Sequence, residues 1–283
     1  MKKIVASIAA LLVGITLLAQ GTVTTRKYRL NDFTDKVTQV VLPGNSILAG
    51  ALKQEVTNQW KASAFEFCTP AEFEARKTQD QYYFLLLADS ASKDDSEAGI
   101  TYLTLVKGDA AAVNGMGKMP EIISLPVCAA DGNSGRELLY LGALVGAVQE
   151  FALAAMESEK TAYQMDGWFN EHYSQDGKNK RIYLSITDIA PQVTERDGEK
   201  YLDDDILLCD DEEEADRMFQ LGSYNTLVGF VVAPSIPTNS SWCYKMLVDA
   251  ETHKLYYLRR HKISNHAGVG FLADDLKRMA KGR

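Results

Sequence analysis

Histidine is scarce, proline and tryptophan hardly less so. The four histidines, seven prolines and three tryptophans are scattered through 283 residues. No two histidines stand three or four apart, which excludes the His-Glu-x-x-His helix of zinc hydrolases. There is no Gly-x-Ser-x-Gly elbow, no Walker-type phosphate loop and no Gly-x-Gly-x-x-Gly fingerprint, so nothing points to a known nucleophile or nucleotide site. Positive charge is also short, with 30 basic residues against 38 acidic ones and a formal charge of −8. Nucleic acid and anionic lipid are poor partners for such a surface. No apolar run reaches the about 20 residues that span a membrane as a helix.

What is present begins at the N-terminus. Lys2 and Lys3 precede residues 4–18, an apolar run broken only by Ser7, Gly14 and Thr16, and Ala19 precedes the polar Gln20. That is the pattern of a secretory signal peptide, residues 1–19, cleaved after Ala19. Export to the periplasm or the exterior is the expectation, with no membrane span left after cleavage. The first cysteine, Cys68, lies far from the cleavage point, so no lipid anchor is implied. Loss of Lys2 and Lys3 takes the charge from −8 to −10. Four cysteines in an exported chain permit disulfides, yet Cys68 and Cys209 lie in apolar strand-like segments where free thiols pack as small hydrophobes. Free cysteines are expected, although spacing alone chooses no pairing.

The organisation reads as α+β in three parts, residues 28–130, 131–177 and 178–283. Ser46 caps a helix running to about Trp60, Phe65 to Cys68 form a strand, and Thr69, Pro70 and Glu72 make a capping box with proline at the first helical position. Two apolar strands follow at 82–88 and 100–107, joined by an acidic loop. A strand at 122–127 leads to the longest helix, 137–157. Residues 138–148 of that helix are almost wholly apolar, with Gly142 and Gly146 four apart. Gln149 and Glu150 end the run too early for a membrane span, so it reads as a helix buried between layers. A further helix is expected over 159–173.

The last third repeats the first. Shifted by 141, Phe65 to Cys68 falls on Ile206 to Cys209, Glu72 on Glu213 and Arg76 on Arg217. Shifted by 142, Tyr102 falls on Tyr244 and Val106 on Val248. Strand, acidic helix, apolar strand, loop, strand thus recurs, which predicts an internal duplication of 65–107 and 206–249. Loops too short for crossovers predict antiparallel pairing of 82–88 with 100–107 and of 226–233 with 244–249. Helices should cover one face of the resulting sheets, with Leu85, Leu87, Val228 and Phe230 buried and Glu72, Glu74, Glu213 and Asp216 solvated.

The helix ending in Trp60, the strand at Cys68, the capped acidic helix and Tyr82-Tyr83-Phe84-Leu85-Leu86-Leu87 resemble uncharacterised exported envelope proteins of Bacteroides-type bacteria. More distantly they are similar to the small α/β domain at the N-terminus of TolB-type periplasmic proteins. The resemblance covers about a quarter of the chain and rests on packing features, with no propeller repeat, so it implies location and fold but no functional residue.

Residues 203–214 carry eight carboxylates in twelve positions. Asp203, Asp205 and Asp210 are the candidate ligands for a hard cation. Three of those carboxylates, however, fall in a first helical turn where the dipole favours them anyway. His261 and His266 would share a site only if 264–268 turns back. Cys243 has no cationic neighbour in sequence to lower its pKa and reads as a buried strand residue. No cofactor is implied. The expectation is an envelope protein that binds a protein partner or small ligand without catalysis. The alternative is an exported hydrolase of glycan or peptide, with a carboxylate pair drawn from Glu66, Asp203, Asp205 or Asp210 and set about 5 to 9.5 Å apart.

Overall fold

The computed structural model describes residues 30–44, 46–89, 99–132 and 134–281. The signal-peptide reading and most of the acidic loop after Asp89 therefore lie outside the described residues. Among these, eight helices accompany two five-stranded mixed sheets, an α+β fold. The first sheet is built from β1 (Val37–Val41), β2 (Ala64–Cys68), β3 (Tyr82–Asp89), β4 (Ile100–Lys107) and β5 (Glu121–Ala129). Helix α1 (Ile47–Gln59) joins β1 to β2, and α2 (Pro70–Arg76) joins β2 to β3. Then come α3 (Arg136–Glu157), α4 (Glu159–Ala162) and α5 (Met165–Gln175). The second sheet takes β6 (Arg181–Ser185), β7 (Ile206–Cys209), β8 (Thr226–Val232), β9 (Trp242–Asp249) and β10 (Leu255–Lys262). Its helices are α6 (Glu195–Tyr201), α7 (Glu212–Gln220) and the terminal α8 (Ala273–Ala280).

The orders are β2-β1-β3-β4-β5 and β7-β6-β8-β9-β10, so the two sheets share one topology. In each, the first strand lies one in from the edge, parallel to both neighbours, and the remaining pairs are antiparallel. Register matches as well. Cys68 closes β2 opposite Val41, and Cys209 closes β7 opposite Ser185. Lys107 lies opposite Tyr83, and Asp249, 142 residues on, lies opposite Leu227. Both charges are buried and both are paired, Lys107 with Asp32 at 2.7 Å and Asp249 with Lys180 at 2.7 Å. The same buried pair has opposite polarity in the two units.

Local signals account for most elements. The Ser46 side chain accepts from the Ala49 amide to start α1, and Thr69 and Glu72 close the capping box of α2. Asp211, not Asp210, caps α7, so cap to cap the offset is 142 and Glu72 corresponds to Glu214 rather than Glu213. The helix expected over 159–173 is broken, because Gln164 leaves the helical region and lets α5 turn against β10. Helix α6 has its own capping box, Thr194 with Asp197. Helices cover both faces of the sheets, not one. A strand parallel to both neighbours needs crossover connections, and these fill the second face.

Three clusters make the core. Phe73 of α2, Phe84, Leu86 and Met119 close the outer face of the first sheet. Tyr173, Leu184, Leu227, Leu247, Phe271 and Leu276 close the outer face of the second, beneath α8. Between the sheets lies the large shared core, where α3 meets β4 and β5 of the first sheet and β10 of the second, α1 packs on α3, and α7 packs on β6, β7 and β8. By length and composition α3 could cross a membrane, but Tyr140, Leu141, Leu144, Val145, Val148, Phe151 and Ala152 are buried in this core. Gly142 sets its approach to α1. A Cβ there would come within 2.7 Å of the Glu55 carboxylate, and Gln59 Nε2 donates to the Gly142 carbonyl at 2.9 Å. Leu85, Leu87, Val228 and Phe230 are buried as expected, and Tyr102 meets Tyr244 edge to face, hydroxyl to hydroxyl at 3.2 Å.

Candidate functional site

The sheets meet where β5 ends and α3 begins. Gly135 takes φ +86°, a left-handed conformation open to glycine, and so reverses the chain into α3. Ser134 accepts from the Arg136 amide and donates to Glu137. Arg136, the first residue of the helix, is thereby turned inward with only 7% of its surface exposed. Its guanidinium forms a bidentate pair with Asp216 of α7, Nε to Oδ2 at 2.9 Å and Nη2 to Oδ1 at 3.0 Å. Nη1 donates to both oxygens of Asp188, at 3.2 and 3.1 Å, and lies 3.4 Å from Glu212. Nη2 also donates to the Gly229 carbonyl of β8 at 3.1 Å. Tyr140, one turn along α3, donates to Asp216 at 2.7 Å and stacks on Phe230 with ring centres 4.4 Å apart.

One guanidinium thus faces three carboxylates drawn from two segments, Asp188 from the turn after β6 and Glu212 and Asp216 from α7. Burial pushes the Asp188 carboxyl up to about 7, against the opposing pull of Arg136 and with a further upward push from Glu212. The same burial, joined by Asp216, pushes the Tyr140 hydroxyl far above its usual range. Asp216 is buried, contrary to the expectation that it is solvated. It precedes Phe219 by three residues on α7, which turns it to the packed face.

Above this cluster lies a cleft of about 360 Å³, lined by Cys128, Ser134, Arg136, Glu212 and the chain from Phe230 to Ala233. One wall is the end of β5, the edge strand of the first sheet. The other is the end of β8. That strand pairs with β6 only as far as Val228, so from Gly229 onward its β6 side has no strand against it among the described residues. A second hollow of about 540 Å³, lined by Gly99, Pro234, Ile236 and Thr238, shares Ser235 with the cleft. Ile236 stands 81% exposed at this mouth. Cys128 is the half-buried thiol of the four, and burial holds it up at about 11, so it is a poor nucleophile at neutral pH.

The candidate cation ligands sit elsewhere. Asp203, Asp205 and Asp210 are exposed beside β7, the far edge strand of the second sheet. Asp203 accepts from the Asp205 and Ile206 amides to shape a turn, and the Asp210 amide donates to Glu214. Glu66, on β2 at the far edge of the first sheet, accepts from Gln39. Among the described residues no group of three or more His, Cys, Asp or Glu is placed to hold a metal ion. Residues 264–267 do turn back, but His261 Nε2 is bonded to the Gly268 carbonyl at 2.8 Å while His266 is exposed. Cys243 is buried, as read. Gly268-Val269-Gly270-Phe271-Leu272-Ala273, which opens α8, is a near match to a dinucleotide loop. Its amides are taken internally, Phe271 N by the Asp188 carbonyl and Leu272 N by Asp275. Arg259, in the basic run at 259–262, pairs with Asp274 and Asp275.

Arg136, Asp188, Tyr140 and Cys128 escaped the sequence reading. A lone arginine at the head of an apolar helix was their one available signal. No protein-family model, curated protein or solved structure matches this chain.

Proposed function

We propose that the chain is an exported, non-catalytic binding or interaction protein of the bacterial envelope, made of two related units whose junction cleft receives an extended segment of a protein partner. The observation that carries this reading is the cleft itself. An edge strand and the end of β8, paired there with β9 but not with β6, face each other across it with no strand between them among the described residues. Main-chain donors and acceptors along such edges are what an added strand recognises, with side-chain pockets setting selectivity. The exposed Ile236 supplies an apolar contact at the mouth that a bound segment would cover. The Arg136 cluster keeps the two walls at a fixed separation. Export is supported by the signal-like N-terminus and by the resemblance to Bacteroides-type envelope proteins.

The test places a photo-crosslinking amino acid at Ser235, on the cleft rim, and separately at Glu74, on the exposed face of α2. Irradiation of whole cells should give one discrete adduct from the rim position and none from α2. Absence of an adduct at Ser235, or identical adducts from both, would remove the cleft from consideration.

A further inference from the structure

A third hollow, on the far side of the second unit, differs in charge from the rest of this acidic chain. It has a volume of about 430 Å³ and is lined by Asn170, Tyr173, Ser174, Lys178, Tyr257, Arg259, Arg278 and Lys281. Four of its eight lining residues are cations and none is a carboxylate. They come from separate elements, Lys178 from the turn before β6, Arg259 from β10, Arg278 from α8 and Lys281 from its C-terminal flank.

The neutral polar groups of the wall are already committed. Asn170 uses its amide to donate to the Leu258 carbonyl and to accept from the Leu258 amide. Tyr173 donates to the Met279 carbonyl and Tyr257 to Asp275, while Ser174 donates to the Asn170 carbonyl. The tyrosines offer the hollow their ring surfaces, which meet edge to face with centres 5.9 Å apart. Two carboxylates touch the cations from outside. Asp274 is shared by Arg259 and Arg278, and Asp275 is held also by the buried Lys245 at 2.7 Å. Asp166 lies near Arg259 as well, and burial raises its pKa. No carboxylate among the described residues pairs with Lys178 or Lys281. The hollow therefore keeps an excess of positive charge over an aromatic floor.

We infer that this hollow is a binding site for a small organic anion, an apolar ring or short acyl body bearing a phosphate or carboxylate. The volume falls within the range of small-molecule sites, whose walls are mostly apolar with a few convergent polar groups. Lysine suits a phosphate or carboxylate as a mobile point charge, and the remaining N–H groups of Arg259 and Arg278 supply directed donors. The site shares no residue with the junction cleft, so either can fail alone.

The experiment is calorimetric titration of the mature chain with 1-naphthyl phosphate, 1-naphthol and inorganic phosphate. Saturable one-to-one binding of 1-naphthyl phosphate is expected, weakening as salt rises, with the neutral alcohol and the bare ion each at least about tenfold weaker. Lys178→Glu and Lys281→Glu should each lower affinity about tenfold or more, because each reverses a charge near the anion. Both should melt within a few degrees of the parent, since neither lysine has a carboxylate partner among the described residues to lose. Lys118→Glu, exposed on the first unit, should bind as the parent does. The proposal is overturned if 1-naphthyl phosphate does not bind, if 1-naphthol binds as tightly, or if the folded Lys178→Glu and Lys281→Glu variants keep the parental affinity.

Discussion

Replacing Arg136 with methionine tests whether the buried cluster holds the two units together. Methionine fills much of the volume but leaves Asp188 and Asp216, 3% and 6% exposed, without their cation. Removing one partner of a buried ion pair costs about 3 to 5 kcal/mol, because the remaining charge is uncompensated. The Gly229 carbonyl also loses its donor, worth a further 1 kcal/mol or so. Whole-domain stability is about 5 to 15 kcal/mol, so the variant should be folded but fragile at neutral pH. With a urea dependence of about 3 kcal/mol per molar, the midpoint should fall by about 1 to 2 M. The loss should shrink on acidification. At pH 5 an orphaned Asp188 can take up a proton, since its carboxyl already titrates near 7 with Arg136 in place. Adding Asp188→Asn and Asp216→Asn to Arg136→Met should recover much of the lost stability by removing the buried charges. Urea melts followed by tryptophan fluorescence at pH 5 and pH 8 decide the matter. A loss below about 1 kcal/mol at pH 8, or one equal at both pH values, would refute the reasoning.

Three further outcomes follow from named contacts. The raised Asp188 carboxyl means that between about pH 4 and 7 the folded chain binds a proton the unfolded chain has released. This contribution to stability is complete below pH 4 and lost as pH rises through 7. The parent's melting temperature should therefore fall from pH 5 to pH 8, and Asp188→Asn should flatten that fall in a calorimetric scan. Gly229→Ala would drive a Cβ to 2.5 Å from Leu184 Cδ2 and 3.1 Å from Phe271, costing about 1 to 3 kcal/mol, whereas Gly50→Ala in α1 meets nothing within 4 Å and should stabilise by about 0.5 to 1 kcal/mol. Denaturant melts of the two should move in opposite directions. Ellman titration without reductant should count four thiols in denaturant and only slow reaction at Cys128 in the native chain, since Cys68, Cys209 and Cys243 are 5%, 4% and 0% exposed. A disulfide-linked peptide in the digest would contradict this.

Elements with local causes could be read directly. The strands β3, β4 and β8 are continuous apolar runs, and α2 carries its start signal in Thr69, Pro70 and Glu72. The pairings of β3 with β4 and of β8 with β9 followed from loop length. What was not legible depends on distance in the chain. Asp188 and Asp216 lie 52 and 80 positions from Arg136, and no periodicity links them. The acidic composition of α7 masked Asp216, because a carboxylate among carboxylates reads as surface. Helix α6 was missed because Glu195–Tyr201 buries no residue and so has no apolar stripe.

The likeness of the two sheets also bears on why the edge of β5 lines a cleft and that of β10 does not among the described residues. Tyr102 and Tyr244 occupy matching positions on β4 and β9 and touch each other, which is the signature of a local two-fold axis between them. That axis carries β5 onto β10 and β8 onto β3. A second cleft would thus run along the outer edge of β10. There, however, α5 intervenes, with Asn170 bonded to both backbone groups of Leu258 and His172 set 3.4 Å from the Leu255 carbonyl. The segment α4 to α5 lies between the units and has no counterpart following the second sheet among the described residues. One edge is consequently sealed by the chain itself, while the matching edge at β5 lines the junction cleft. An edge strand left open in one of two similar sheet units, where the matching edge of the other is covered, runs against the ordinary protection of edges from aggregation. Its place beside the charge-clamped floor at Arg136 is what the proposed strand-accepting role of the cleft rests on.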